Sequence, residues 1–358
     1  MADETLDEEA GVPLDPEHEH VGAVWDRDSG LRAVIAIHST ALGPSLGGTR
    51  YRPYPSFAAA MSDVLRLSRA MSYKAALAGL ALGGGKAVII GDPAAKSEAL
   101  LRAYAKFLDS FEGRYLTAED VGTSQADMDY LGRFSEFVTG RSRSLGGSGD
   151  PSPITAFGVV RAMEAAADSV LGGNGLEGAH VAINGVGKVG HALALLCHER
   201  KAHLTIADVS DEALRGVLAE VPADVSDPEK IHQVACDVYA PCALGGALND
   251  HTVPELSCRV VCGAANNQLS RPDVEPALAA RGITYVPDYL ANAGGIINIA
   301  YEPGGYDEST AREHVSRIYD TTRLLLERAF QSGEHLSVLA DRTAEERIRK
   351  ARASRSSR

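Results

Sequence analysis

Residues 180–208 read HVAINGVGKVGHALALLCHERKAHLTIAD. The apolar run His180 to Ile183 leads directly into Gly185-Val186-Gly187-Lys188-Val189-Gly190, a GxGxxG pattern, and a second apolar run ends at Asp208, about twenty residues further on. Strand, glycine turn, helix and strand in that order form the opening βαβ unit of a dinucleotide-binding sheet. The glycines permit a tight turn and let backbone N–H groups approach a pyrophosphate, and the helix N-terminus adds a favourable dipole. Asp208 suits the hydroxyls of an adenosine ribose and repels a 2′-phosphate, which favours NAD over NADP. A glycine turn used only for packing is the competing explanation; the strand and helix flanking this one, and the acid that follows, argue against it.

From residue 154 onward, helices and short apolar strands alternate, so a parallel α/β sheet is expected over 149–324. GRSRSLGGSGDPSP at 140–153 is a loop and a domain junction. Before it, VGAVWDRDSGLRAVIAIHST reads as a hairpin turning at Asp28, Ser29 and Gly30. SFAAAMSDVLRLSRAMSYKAALA has helical spacing with Ser56 as N-cap, and SEALLRAYAKFLDSF is a second amphipathic helix. The expectation is an α/β chain of two domains around a cleft: a substrate-binding and oligomerisation domain at 21–148, and a Rossmann domain at 149–324. The amphipathic C-terminal helices, 325–358, pack back on the first.

The 358 residues carry a formal charge of −13, which argues against nucleic acid as a partner. No run of about eighteen apolar residues occurs, so no membrane span is expected. Residues 1–20, MADETLDEEAGVPLDPEHEH, lack an apolar h-region and read as a disordered acidic tail, with His18 and His20 solvated. Cys197, Cys236, Cys242, Cys258 and Cys262 form no CxxC pair, so reduced thiols in the cytoplasm and no metal site are expected.

A second stretch carries chemistry. Met71–Pro93 reads MSYKAALAGLALGGGKAVIIGDP, with Lys74 and Lys86 twelve residues apart around small residues and three glycines. A segment this apolar is buried, and a buried lysine is costly unless it is paired or sheds its proton. Perturbed lysines are catalytic tools. The plainer alternative is two lysines snorkelling beside an ordinary strand.

Taken with IAIHSTALGPSLGGTR, TAEDVGTSQADMD, GDPSPITAFGV, DVYAPCALGGALND, VVCGAANNQL and VPDYLANAGGIINIA, these motifs run in one order over about residues 17 to 348. In that order the chain resembles the NAD-dependent branched-chain amino acid dehydrogenases of the Glu/Leu/Phe/Val dehydrogenase family. The resemblance implies NAD-dependent oxidative deamination of an L-amino acid to a 2-oxo acid, by a homo-oligomer, either dimer or octamer. It also implies roles. Lys74 binds the substrate carboxylate. Lys86 is the catalytic lysine, its pKa lowered by burial and by Lys74, and Asp120 carries protons at the substrate nitrogen. Asn292 hydrogen-bonds the substrate, and Gly47 and Gly48 let the backbone approach it. Thr155 holds the nicotinamide amide, and Ala265 with Asn266 (or Asn267) lines the nicotinamide ribose. By residue chemistry alone, Asp120, Thr155 and Asn292 could each be no more than caps.

The pocket positions Leu46 and Ala118, with Val315 and Ile318 added by spacing, are apolar. That favours valine, leucine and isoleucine over glutamate. A phenylalanine dehydrogenase and a catalytically silent NAD-binding regulator are the alternatives. Two departures stand out: the acidic tail replaces the family's N-terminal helix, and Tyr301-Glu302 stands where Asp-Glu is usual.

Overall fold

The computed structural model describes residues 17–356. They divide into two units. The first holds the chain up to Gly149 and the end of the last helix from Arg347; the second holds Asp150–Glu346.

The first unit opens with β1 (His20–Asp26) and β2 (Leu31–Ser39), an antiparallel hairpin whose turn residue Gly30 sits at φ +73°. β3 (Ser45–Arg52), α1 (Phe57–Leu77), β4 (Gly83–Ile90), α2 (Glu98–Asp109), β5 (Tyr115–Glu119) and α3 (Gln125–Leu131) follow. The strand order is β1-β2-β4-β3-β5, with β4 antiparallel to β2 and parallel to β3. Ser56 caps α1 by accepting the Ala59 N–H, and Ser97 caps α2 at Leu100.

Both faces of this sheet are covered, which is why β2 is a nearly unbroken apolar run. Successive residues of a strand point to opposite faces. Ile35, Ile37, Tyr51, Ala87 and Ile89 therefore pack with Tyr104 and Leu108 of α2, while Val34, Ala36 and Val88 pack with Ala60, Met61 and Val64 of α1. The same alternation puts Leu46, Gly48, Arg50, Lys86 and Ala118 on the α1 face. Register refines this. Gly48 pairs with Ala118, and the pairing of Leu46 with Gly84 and of Thr49 with Ala87 sets Gly48 beside Lys86. Lys86, Gly48 and Ala118 thus form one row across three strands, and Arg50 stands in the next.

Residues 17–20 are not part of a loose tail. The Glu19 carboxylate accepts from the Thr40 N–H and hydroxyl, His18 Nε2 lies 2.8 Å from Ser68 Oγ, and His20 packs on Phe111. The acidic-tail expectation is corrected there; residues 1–16, and with them the question of the N-terminal helix, lie outside the described residues.

The second unit runs α4 (Ser152–Val170), β6 (His180–Asn184), α5 (Lys188–Glu199), β7 (His203–Ala207), α6 (Asp211–Leu218) and β8 (Asp224–Val225). It continues through β9 (Val238–Pro241), β10 (Val260–Val261), α7 (Val274–Ala280), β11 (Thr284–Tyr285), α8 (Asp288–Ala291) and α9 (Gly294–Ala300). Its parallel sheet has the order β8-β7-β6-β9-β10-β11, the doubly wound arrangement whose direction reverses between β6 and β9. α10 (Glu308–Ser316), α11 (Ile318–Ser332) and α12 (Leu336–Ser356) close the chain.

The expected C-terminal return at 325 is corrected. α11 stays in the second unit, packed on α4, and only Arg347 onward belongs to the first, where the Arg347 guanidinium donates to the Ala76 and Leu77 carbonyls. Tyr301 follows α9 as its C-cap, with its hydroxyl 3.0 Å from His314 Nδ1. None of the described helices is long and apolar enough to cross a membrane.

Candidate active site

On the α1 face of the first unit, Lys86 Nζ lies 3.0 Å from Asp120 Oδ2, although β3 separates their strands. The reach is possible because Gly48 presents no side chain in between. A Cβ at Gly48 would stand 2.6 Å from the Glu119 carbonyl oxygen and 2.8 Å from Asp120 Cβ. Asp120 leaves β5 through a short pinned turn: Thr123 Oγ1 accepts the Asp120 N–H and donates to the Thr49 carbonyl. The carboxylate does not cap α3; Ser124 does, in a capping box with Asp127.

Asp120 Oδ2 also accepts from Arg50 Nε at 2.9 Å. Arg50 Nη1 continues to Asp63 Oδ2 of α1 at 3.0 Å, and Asp63 is held in turn by the Tyr54 hydroxyl and by Arg66. The result is a chain of alternating charges, Lys86–Asp120–Arg50–Asp63.

Burial pushes Lys86 below the ordinary lysine range and Arg50 adds to this, against the opposing pull of Asp120. Burial alone would raise Asp120, but Lys86 and then Arg50 outweigh it and hold its carboxyl below the usual range. Arg50, the last residue of the motif IAIHSTALGPSLGGTR, is thus a cation acting on Lys86 that the sequence reading gave no role. Lys74 is half-buried on α1, eleven residues beyond Asp63 and so about three turns along the same helix face.

The glycine pair has structural reasons of its own. A Cβ at Gly47 would lie 1.8 Å from the Gly85 carbonyl oxygen, so the strands approach this closely only because no side chain is there. The buried Tyr115 hydroxyl donates to the Gly47 carbonyl at 2.6 Å. Leu46 and Ala118, on the same face, are buried. Val315 and Ile318 belong to the second unit, where Ile318 packs over Gly158 of α4.

In the second unit the glycine turn sits at the strand reversal. Gly185 has φ +97° and touches Ala243, beyond β9. Gly187 is the N-cap of α5 with open space beside it, and Gly190 packs so closely that a Cβ would lie 1.9 Å from the Gly185 carbonyl oxygen. Each glycine thus meets one demand of a dinucleotide loop: turn, approach and helix packing. Val186 is buried, Val189 half-buried, and Lys188 is exposed at 3.6 Å from Asp150. Asp208 Oδ2 accepts the Val186 N–H at 2.7 Å and Oδ1 accepts the Ser210 N–H. A carboxylate has about four acceptor directions, so capacity for ribose hydroxyls remains. The residues fit a dinucleotide.

Thr155 lies in the first turns of α4, inside the helix rather than at its cap, and Gly294 and Gly295 let α9 close upon it. The Asn292 amide donates to the Ala264 carbonyl and to Asn266 Oδ1. Ala265 is buried and Asn266 exposed. Gln268, which the sequence motifs did not single out, is fully buried and donates to the Gly263 and Ala265 carbonyls. Two side-chain amides therefore fasten three successive carbonyls of this loop. All five thiols are free, and burial pushes Cys197, Cys236, Cys242 and Cys258 up to about 12, the state of inert thiols.

Residues 17–136 match the Glu/Leu/Phe/Val dehydrogenase dimerisation domain, and residues 146–215 and 209–352 match the glutamate/leucine/phenylalanine/valine dehydrogenase domain. The chain is 53% identical over 339 residues to a valine dehydrogenase of Streptomyces coelicolor, covering 94% of this chain and 93% of that one. It is 48% identical over 341 residues to a leucine dehydrogenase of Bacillus cereus, covering 95% and 93%. Among solved structures, L-tryptophan dehydrogenase from Nostoc punctiforme superposes with a TM-score of 0.83 at 41% identity, covering 94% and 97%. The chain belongs to the glutamate/leucine/phenylalanine/valine dehydrogenase family and is an amino acid dehydrogenase, an oxidoreductase.

Proposed function

We propose that the protein catalyses NAD-dependent oxidative deamination of branched-chain L-amino acids (valine, leucine and isoleucine) to 2-oxo acids and ammonium, and the reverse amination. The observation that carries this reading is the pairing of buried Lys86 with half-buried Asp120 on the same sheet face as apolar Leu46 and Ala118. Its chemistry divides among the chain's own groups. Lys74 binds the substrate carboxylate. Lys86, whose charged form is disfavoured by burial, takes the proton from the water that adds to the substrate's C=N carbon. Asp120 steadies the substrate nitrogen and carries its protons. The Gly47–Gly48 backbone flanks the substrate, and Asn292 hydrogen-bonds it. NAD, when bound, supplies the hydride acceptor. The glycine turn Gly185–Gly190 and Asp208 hold its adenosine half, and Thr155, Ala265 and Asn266 its nicotinamide half. The match of 17–136 to a dimerisation domain supports a homo-oligomer built through the first unit.

The apolar wall formed by Leu46 and Ala118 itself offers a glutamate side chain no charged partner. A methylene in such a pocket is worth about 1–3 kcal/mol, so preference among the three aliphatic substrates is modest. Initial rates of NADH formation with valine, leucine, isoleucine, phenylalanine, tryptophan and glutamate, each with NAD or NADP, test the reading. The highest kcat/KM is expected for an aliphatic substrate with NAD. A preference for an aromatic substrate refutes the substrate assignment, and silence with all six refutes catalysis.

A further inference from the structure

Lys86 acts as a base only when neutral, and at that moment it stops being the counter-charge of Asp120. A carboxylate this buried with no cation beside it tends to take up a proton. Arg50 supplies the missing charge: a guanidinium stays protonated throughout the working range. Its geometry is built for this. Nε donates to Asp120 Oδ2 and Nη1 to Asp63 Oδ2, so the planar fork is fixed by two carboxylates on different edges. Asp63 is itself fixed by Tyr54 and Arg66.

Both cations reach the same oxygen of Asp120: Arg50 Nε lies 2.9 Å and Lys86 Nζ 3.0 Å from Oδ2. We propose that Arg50 is a positioning residue for the reaction: it pins the Asp120 carboxylate through Oδ2 and remains its counter-charge while Lys86 is neutral. This rests on the acid–base reading of Lys86 and Asp120 given above.

The charged and titratable groups around the pair come from every neighbouring element. They are Arg50 from β3, Lys86 from β4, Tyr115 from β5, Asp63, Arg66 and Lys74 from α1, and Tyr54 from the loop before α1. Arg50 touches Asp120 and also lowers Lys86, while Asp63 acts on Lys86 in the opposite sense.

The test compares full-length Arg50→Gln, Arg50→Lys, Lys86→Ala and Asp120→Asn with the unmodified enzyme, using its best amino acid and NAD from neutral to alkaline pH. In Arg50→Gln, kcat is expected to fall about 100-fold through misplacement of Asp120, with KM for the amino acid changed less than about threefold. Its acid limb should move up by about one pH unit, because a positive charge beside Lys86 is gone. Arg50→Lys keeps the charge but not the fork, so the limb should stay in place while kcat recovers only in part. NADH binding and the thermal midpoint measure how much of each variant is folded. A lowered folded fraction with kcat per folded enzyme and the acid limb both unmoved makes Arg50 merely structural and overturns the proposal. If Arg50→Gln does not fold, Arg50→Lys decides alone: unaltered kcat per folded enzyme overturns it. Near-normal turnover in Lys86→Ala is a different result, which removes the acid–base reading underneath.

Discussion

Gly48→Ala isolates the demand made by the row Lys86–Gly48–Ala118. The added methyl would stand 2.8 Å from Asp120 Cβ and 2.6 Å from the Glu119 carbonyl oxygen. Ordinary contact begins at about 3.4 Å, so Asp120 has to yield by about 0.6 Å and the β5 carbonyl by about 0.8 Å. Glu119 and Asp120 are adjacent, so the end of β5 and the Asp120 side chain have to shift together. A shift of this size, if directed away from Lys86, stretches their 3.0 Å contact to as much as about 3.6 Å, beyond hydrogen-bond range. A displacement of this order at reacting groups costs about 30- to 100-fold in turnover, and overpacking removes about 1–3 kcal/mol of stability. Steady-state NADH formation gives kcat and KM, and urea unfolding gives the second quantity. If Gly48 matters only because the substrate passes close to its backbone, KM rises and kcat holds. A kcat within roughly twofold of the unmodified value would refute the steric argument.

Three further outcomes are expected. Lys86→Ala should lower kcat by about 10²–10⁴-fold while Lys74→Ala mainly raises KM for the amino acid; the assignment fails if the two phenotypes are exchanged. Asp63 and Asp120 have folded pKa values below their unfolded ones, so their stabilisation is present above the unfolded values and is lost as pH falls through the folded ones. Denaturation midpoints should therefore decline below the ordinary carboxylate range, less steeply in Asp63→Asn; an equal decline in that variant would contradict the role given to Asp63. Asp208→Ser removes both the acceptor of the Val186 N–H and the repulsion of a 2′-phosphate, so KM for NAD should rise about tenfold and the NADP-to-NAD activity ratio should increase. Equal use of both cofactors by the unmodified enzyme would contradict the role of Asp208.

The dinucleotide sheet was legible because one local stretch, 180–208, carries strand, turn, helix and acid in contiguous sequence. The β1–β2 hairpin and the Ser56 cap were legible for the same reason: turn and cap chemistry is local. The placement of β4 between β2 and β3 was not. Its first three residues are glycines, which have no side chains to declare a face. Arg50 was hidden among the chain's other arginines, and its meaning appears only when strand alternation sets it two positions from Gly48 on the face that holds Lys86. A period-2 reading of LGGTR would have found it. The return of the chain was placed too early because Leu325, Leu326 and Ala329 show that one face of α11 is buried, but not against what.

The strand order of the first unit has a consequence for synthesis. Arg50, Lys86 and Asp120 lie on or just beyond β3, β4 and β5, and they emerge from the ribosome in that order. β4 must insert between two strands made earlier, and β5 arrives last, at the sheet edge. A nascent chain ending short of Asp120 would bring two cations onto one face of the sheet with Asp63 as the only acid of the charge chain yet made. Confining both in that state is costly, and the cost is relieved only when the third strand supplies its acid. Arg50 and Lys86 therefore gain their shared Asp120 partner only after β5 has been made.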